Sequence, residues 1–296
     1  MVPEPNRTTI ELPCGPVSYL TWSPDKSAPA VVLLHGGGVD NASLSWGGIG
    51  PLLADAGYRV IAPDHPGYGQ SPHARLPATQ ERLVAYVGEL VDALGLDDYA
   101  IGGLSLGGGM TIGHVLERSE RVTGAMLLGS YGMMPRLSDG PMSAVRQLST
   151  WAMLRTGLLG AATRWVGTNR RAMARGMQAV ITDPTQLTDT LMDEIMAAAA
   201  QPDGFRAFEQ WQRDQVLWNR LRTDYTLRLP SFSCPALIVH GDRDSGVPVA
   251  HARAAAALIP DAHLKVVAGA GHWVQRDRPD IVLAAMTGFL GRLAGG

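Results

Sequence analysis

The feature that most constrains this 296-residue sequence is the pentapeptide Gly103-Leu104-Ser105-Leu106-Gly107. It follows an apolar run at residues 99–103 that is typical of a buried strand, and it leads into a helical pattern at 105–117. A chain that turns so sharply from strand to helix strains the central residue and leaves little room for side chains two positions away. The pattern therefore predicts that the Ser105 hydroxyl is presented at the carboxyl end of a strand. The alternative is a glycine-rich turn with an incidental serine.

Short apolar runs alternate with helical patterns on both sides of this pentapeptide. Strands are predicted at residues 17–22, 30–34, 59–62, 99–103, 122–128, 236–240 and 263–267, and helices at 46–56, 79–96, 105–117, 249–258 and 279–293. Such alternation is typical of right-handed βαβ units and a mostly parallel sheet flanked by helices. Residues 133–228 carry helical patterns alone. The sequence therefore predicts an α/β fold with a core at residues 1–132 and 229–296 and a helical cap at 133–228, inserted between two strands.

Two further segments supply candidates for an acid and a base. A serine hydroxyl is a poor nucleophile without a base, and for a serine at such a turn the expected chain order is Ser, Asp or Glu, then His. Asp242 and Asp244 both follow the predicted strand at 236–240, and we favour Asp244 as the acid. His272 lies in a glycine-rich loop after the last predicted strand and is the candidate base. The alternatives are ordinary aspartates of a turn and a solvated histidine of a loop. His240, at the end of the predicted strand, is expected to be a packed core residue.

Acyl transfer also needs hydrogen-bond donors for a developing oxyanion. The backbone N–H of Leu106 is one candidate because this residue follows the serine. The second donor is expected in the loop after the predicted strand at 30–34, where Gly37 and Gly38 allow close approach of the backbone to a substrate. The sequence does not decide between these two glycines, and the alternative is that they only form a turn.

Composition excludes several classes of protein. The chain has 25 basic and 27 acidic residues, so bulk charge does not favour nucleic acid as a partner. Two distant cysteines exclude a disulfide-rich scaffold and a cysteine-based zinc site. We expect neither a signal peptide nor a membrane span, because the first residues and the longest apolar stretches are too polar. The expected protein is cytoplasmic, without a metal, an organic cofactor or a membrane partner, and homo-oligomerisation is left open.

The predicted cap is rich in flexible and aromatic apolar side chains. Residues 133–228 hold eight of the twelve methionines and four of the seven tryptophans. Methionine adapts to irregular apolar shapes, and tryptophan provides broad contact area. These residues predict either the roof of a pocket for a hydrophobic small-molecule substrate or a small subdomain that packs its own core, and both can hold together.

Taken together, the motifs resemble the α/β-hydrolase superfamily over residues 31–273. The matching segments are His35 to Gly38, Asp64-x-Pro66-Gly67-x-Gly69-x-Ser71, the Ser105 pentapeptide, Gly241-x-x-Asp244-x-x-Val247-Pro248 and Gly271-His272-Trp273. The resemblance implies a Ser105–His272–Asp244 triad beneath a helical cap. It also favours Asp244 over Asp242, because in that family the carboxylate four residues before the proline of the Val-Pro pair is the acid.

Within the superfamily, the sequence most resembles the bacterial meta-cleavage-product (carbon–carbon bond) hydrolases and related carboxylesterases. It differs from the former at three points: Leu104 replaces an asparagine before the nucleophile, Trp46 is followed by Gly47-Gly48 instead of an asparagine, and residues 189–198 contain no arginine. The resulting hypothesis is a serine hydrolase of a hydrophobic carboxylic ester, thioester or lactone, acting through an acyl-enzyme. The alternatives are carbon–carbon hydrolysis of a vinylogous diketone and a non-hydrolytic binding or pathway protein on the same fold.

Overall fold

The centre of the molecule is an eight-stranded sheet. The structure, a computed structural model, describes residues 4–23, 25–201 and 204–295, and the counts below refer to these residues. The strands are β1 (Asn6–Leu12), β2 (Gly15–Trp22), β3 (Ala30–Leu34), β4 (Arg59–Pro63), β5 (Tyr99–Leu104), β6 (Val122–Leu128), β7 (Ala236–Gly241) and β8 (Ala262–Val267). Their order in the sheet is β1-β2-β4-β3-β5-β6-β7-β8.

The sheet is mostly parallel, which confirms the predicted α/β class. Strand β2 pairs antiparallel with β1 and β4, whereas every pair from β4–β3 to β7–β8 is parallel. All residues of β3, β5 and β7 are buried, as expected for uninterrupted apolar strands covered by helices on both faces. Because parallel strands end at the same edge, the loops after β3, β5, β7 and β8 all lie at one edge of the sheet.

Helices cover the sheet and also form the long connection between β6 and β7. They are α1 (Ala42–Trp46), α2 (Gly50–Asp55), α3 (Gln80–Ala93), α4 (Leu106–Glu117), α5 (Ser143–Thr156), α6 (Leu158–Thr168), α7 (Arg170–Gln178), α8 (Asp189–Ala199), α9 (Arg206–Gln215), α10 (Val249–Leu258), α11 (Val274–Asp277) and α12 (Pro279–Ala294). Helices α5 to α9 fall within residues 133–228, although a separate cap domain stays a prediction. Among the described residues, no helix has the length and apolar character needed to cross a membrane.

Two local predictions differ from the structure. The helix predicted at 46–56 is interrupted, because α1 ends at Trp46 and α2 begins at Gly50. The N–H of Gly47 caps α1 by donating to Ser43 O, and Pro51 lies in the first turn of α2. Strand β1 was not predicted at all. Most of its residues are exposed or half-buried at the sheet edge, so its sequence carries no clear hydrophobic alternation.

Candidate active site

Ser105 occupies the sharp turn between β5 and α4. Its backbone torsions, φ 52° and ψ −112°, lie in a region that residues with a Cβ rarely adopt. The flanking glycines meet the steric demand: a Cβ at Gly103 would lie 2.7 Å from Gly108 N, and one at Gly107 would lie 2.5 Å from His35 O. The turn therefore packs directly against the end of β3, and larger residues at 103 and 107 would separate these segments.

His272 and Asp244 are in direct contact. His272 Nδ1 lies 2.8 Å from Asp244 Oδ2 and 2.9 Å from Oδ1, and the carboxylate is buried while the imidazole is partly exposed. Asp244 Oδ1 also accepts hydrogen bonds from the N–H groups of Gly246 and Val247, each at 2.8 Å. These bonds fix the carboxylate, so that it can hold the imidazole with Nδ1 protonated and Nε2 free to accept a proton.

A second histidine contacts the same carboxylate. His240, expected from the sequence to be a packed core residue, is fully buried, and its Nε2 lies 2.8 Å from Val247 O and 3.2 Å from Asp244 Oδ2. Burial alone would raise the pKa of Asp244, but the hydrogen bonds from His240 and His272 outweigh it and hold the pKa well below its usual value. Asp244 is therefore an anion at neutral pH.

Asp242 has a different position. Its Oδ1 accepts a hydrogen bond of 2.7 Å from Gly269 N, and the residue is exposed. Thus Asp242 braces the loop that carries His272, whereas Asp244 contacts the imidazole itself. Of the two candidates, the geometry favours Asp244 as the acid.

The predicted oxyanion donors lie beside Ser105. Leu106 is the first residue of α4, so its N–H has no acceptor within the helix. Gly37 lines the same cavity as Ser105, and a Cβ on Gly37 would lie 3.6 Å from Leu106 Cδ2. Gly38 has φ 79° and lines a neighbouring polar cavity instead. The structure thus brings Gly37 and Leu106 to the serine more directly than Gly38.

Ser105 and His272 line one cavity of about 170 Å³. Its wall is formed by the loop after β3, the turn after β5, the loop after β8 and the end of α7. The remaining lining residues are Gly36, Gly37, Val39, Asp40, Leu104, Met173, Met177, Val180 and Trp273. Among the described residues, no lysine or arginine lines it. A larger apolar cavity of about 370 Å³ lies near Tyr86 on α3, but neither Ser105 nor His272 reaches it.

The surroundings of His272 are tied to the segment after α7 by Asp277. Its carboxylate accepts hydrogen bonds from Gly271 N at 2.6 Å, Asp183 N at 2.8 Å and both the N–H and the hydroxyl of Thr182. Trp273 N also donates to Val180 O at 2.9 Å. The loop that carries His272 and the wall of the cavity formed by residues 180–183 are therefore one connected unit.

Asp40, His240 and Asp277 were not among the site residues predicted from the sequence. Asp277 contacts a segment distant in the chain, whereas Asp40 and His240 contact residues of their own loops, and the spacing of the sequence does not reveal how those loops fold. The available signals were weak: Asp40 follows Gly38 by two residues, and Asp277 follows His272 by five. In the part of the chain that the structure describes, no cluster of His, Cys, Asp or Glu side chains is arranged to hold a metal ion.

Comparisons with known proteins agree with this architecture. Residues 29–279 match the family described as alpha/beta hydrolase fold. The chain is 30% identical over 259 residues to a 2-hydroxy-6-oxo-6-phenylhexa-2,4-dienoate hydrolase of Burkholderia cepacia, covering 85% of this chain and 84% of that protein. It is 27% identical over 271 residues to the 2-hydroxy-6-oxo-6-(2'-aminophenyl)hexa-2,4-dienoic acid hydrolase of Metapseudomonas resinovorans, covering 89% and 84%. The crystal structure of a Bacillus subtilis carboxylesterase superposes with a TM-score of 0.76 at 22% identity, covering 99% and 93%, which is a likeness of fold.

Proposed function

Because the chain belongs to the alpha/beta-hydrolase family, we propose that it is a serine hydrolase of uncharged, hydrophobic carboxylic esters, thioesters or lactones. One observation carries the proposal. The apolar cavity that contains Ser105 and His272 is lined by no basic side chain among the described residues, while the buried carboxyl of Asp40 forms part of its wall. A substrate anion would find no counter-ion there, whereas a neutral acyl group would find methionine, valine and tryptophan side chains.

The roles of the residues follow from the geometry. With Nδ1–H donating to Asp244, the Nε2 of His272 is the atom that accepts the proton of Ser105 as its Oγ attacks the carbonyl carbon. Asp244 keeps this tautomer and stabilises the imidazolium. The N–H groups of Leu106 and Gly37 receive the oxyanion. His272 then protonates the leaving group, and a water molecule that it activates hydrolyses the acyl-enzyme.

The cavity beside Ser105 has room for a small acyl group. A closed apolar cavity of about 150 Å³ is known to accommodate benzene. The cavity beside Ser105, at about 170 Å³, is therefore suited to a phenyl ring or a short branched or linear chain of similar volume. Met173 and Met177 on α7 form part of its wall and can adapt to irregular shapes.

Carbon–carbon bond hydrolysis is the second candidate, and it is favoured by the 27–30% identity to the dienoate hydrolases. Their names specify carboxylate substrates. Two features here are unfavourable for such a substrate: the residue before Ser105 is the buried Leu104, which offers no hydrogen bond, and α8 (Asp189–Ala199) carries no arginine. The nearby Arg276 is engaged elsewhere, since its Nε donates to Leu44 O.

The test compares p-nitrophenyl esters from acetyl to octanoyl, together with the benzoyl ester, in the wild type and in Ser105→Ala. We expect serine-dependent turnover that peaks at short acyl or benzoyl groups. A fluorophosphonate should label the wild type covalently and leave Ser105→Ala unlabelled. Labelling without ester turnover, combined with hydrolysis of a 2-hydroxy-6-oxo-dienoate, would replace the ester proposal with the second candidate. Absence of labelling in a folded protein would contradict both and favour a binding protein on the same fold.

A further inference from the structure

A buried carboxyl lies in the loop that follows β3. Asp40 is 6% exposed and lines the cavity that contains Ser105. Its Oδ2 accepts hydrogen bonds from Gly36 N at 2.6 Å and from the Ser45 hydroxyl at 2.7 Å, and its Oδ1 accepts one from Asn41 N at 2.8 Å. One side chain therefore ties the beginning of this loop to its end and to α1.

The loop is also confined by packing. A Cβ on Gly36 would lie 2.9 Å from Asp40 Oδ2, and a Cβ on Gly37 would lie 2.5 Å from the ring of Phe208 on α9. The carboxyl of Asp40 therefore lies close to the backbone at Gly36, and the ring of Phe208 lies close to the backbone at Gly37. The peptide that joins Gly36 and Gly37 is held from both ends of Gly36, because the Gly36 N–H donates to Asp40 and the Gly36 carbonyl accepts from His35 Nδ1 at 2.8 Å.

The hydrogen bond to Asp40 decides which N–H groups of the loop stay available. The N–H of Gly36 is used, so it cannot serve an oxyanion, whereas Gly37 lines the cavity with Ser105. Burial raises the pKa of Asp40 to about 7, which disfavours its anionic form. The nearby Arg276 partly offsets this effect, because its positive charge stabilises the anion. The buried phenol of Tyr68 also lies close to the carboxyl.

We propose that Asp40 is a positioning residue that, through Gly36, orients the N–H of Gly37 toward the oxyanion formed at Ser105. The proposal rests on the serine hydrolase function proposed above. Preorganised donors matter most in the transition state, so loss of this orientation lowers kcat and leaves KM nearly unchanged. The same reasoning excludes Gly36 as the donor and favours Gly37 over Gly38.

The experiment compares Asp40→Ala and Asp40→Asn with the matched control Ser45→Ala, which removes one partner of the carboxyl but leaves its bond to Gly36. Each variant is assayed for kcat and KM on the best p-nitrophenyl ester and for inhibition by a trifluoromethyl ketone with the same acyl chain, which forms a tetrahedral adduct with an active serine. Circular dichroism and Tm report folding.

We expect Asp40→Ala to lower kcat by about 10²–10³, the loss typical of one oxyanion donor, and to weaken trifluoromethyl ketone binding by a similar factor. Asp40→Asn keeps one carbonyl oxygen for Gly36 and Ser45 but loses the bond to Asn41, so a loss of several-fold is expected. Ser45→Ala should lose less than Asp40→Asn. Unchanged kcat in a folded Asp40→Ala, or a loss confined to KM, overturns the proposal.

If Asp40→Ala does not fold, Asp40→Asn decides. Parallel losses in kcat and in trifluoromethyl ketone affinity support the positioning role, and no loss or a change in KM alone overturns it. Failure of the serine hydrolase function is seen separately, because it would appear in the wild type and in Ser105→Ala before any Asp40 variant is measured.

Discussion

Replacing Ser105 by glycine should abolish activity and at the same time stabilise the protein. The backbone at this residue, with φ 52° and ψ −112°, is one that glycine adopts without steric conflict and that a Cβ makes unfavourable. Ser105→Ala also lacks the hydroxyl but keeps the Cβ. A comparison of the two inactive variants therefore isolates the strain of the turn from the loss of the nucleophile.

The expected difference is a balance of two terms. A residue held in a sparsely populated backbone region costs of order 1–3 kcal/mol. Glycine loses more conformational entropy on folding, which offsets roughly 0.5–1 kcal/mol of that gain. The free energy of unfolding of Ser105→Gly should thus exceed that of Ser105→Ala by about 0.5–2 kcal/mol, which corresponds to a Tm higher by about 1–5 °C.

Urea titration and thermal melting of both variants provide the measurement. The matched control is Ser149, an exposed residue of the regular helix α5, where glycine should be less stable than alanine by about 1 kcal/mol. The sign of the glycine–alanine difference must therefore reverse between positions 105 and 149. If Ser105→Gly were no more stable than Ser105→Ala, the turn would not store strain.

Three further predictions concern the surroundings of the serine. Asp244→Asn should lower kcat by about 10⁴, as expected when a histidine loses its orienting carboxylate. The matched variant Asp242→Asn should retain activity within tenfold, and the reverse result would move the acid to position 242. In chemical denaturation, Gly107→Ala should destabilise the fold by several kcal/mol, because its Cβ would lie 2.5 Å from a backbone oxygen. The control Gly291→Ala should stabilise α12 by about 0.5–1 kcal/mol, because a Cβ at position 291 meets open space. Burial raises the pKa of Asp40 to about 7, so the free energy of unfolding should fall as pH rises from about 4 to 7, and Asp40→Asn should flatten this slope in urea titrations near pH 5 and pH 8.

The sheet and the turn at Ser105 could be predicted because the signals are local. Buried parallel strands such as β3 and β7 are short apolar runs. The glycines at 103 and 107 are needed because a Cβ at either position would collide with nearby backbone atoms. Strand β1 could not be predicted, since it forms by pairing with β2 at the sheet edge and its own side chains give little indication of a strand. The break between α1 and α2 had a signal in Gly47-Gly48.

For the candidate site, the sequence indicated the candidate catalytic residues but not the residues that position them. Asp244 and His272 each follow a strand, and a parallel sheet brings such strand ends together, so their contact was expected. His240 was expected to belong to the core, which its burial fits, but its contact with Asp244 depends on how the turn at 242–247 folds back. The conformation of this turn is not apparent from the spacing of its residues.

Three buried carboxyls share a structural task around the cavity. Asp40 accepts backbone N–H groups in the loop after β3, Asp244 in the loop after β7, and Asp277 in the loop that carries His272. Hydrogen bonds keep the pKa of Asp244 and Asp277 low despite burial, so their contribution to stability is present above about pH 4 and is lost below it. The raised pKa of Asp40 acts in the opposite direction, because its ionisation weakens the fold as pH approaches 7. For these three groups the fold is therefore most stable at acidic pH, between the range where Asp244 and Asp277 become protonated and the range where Asp40 ionises.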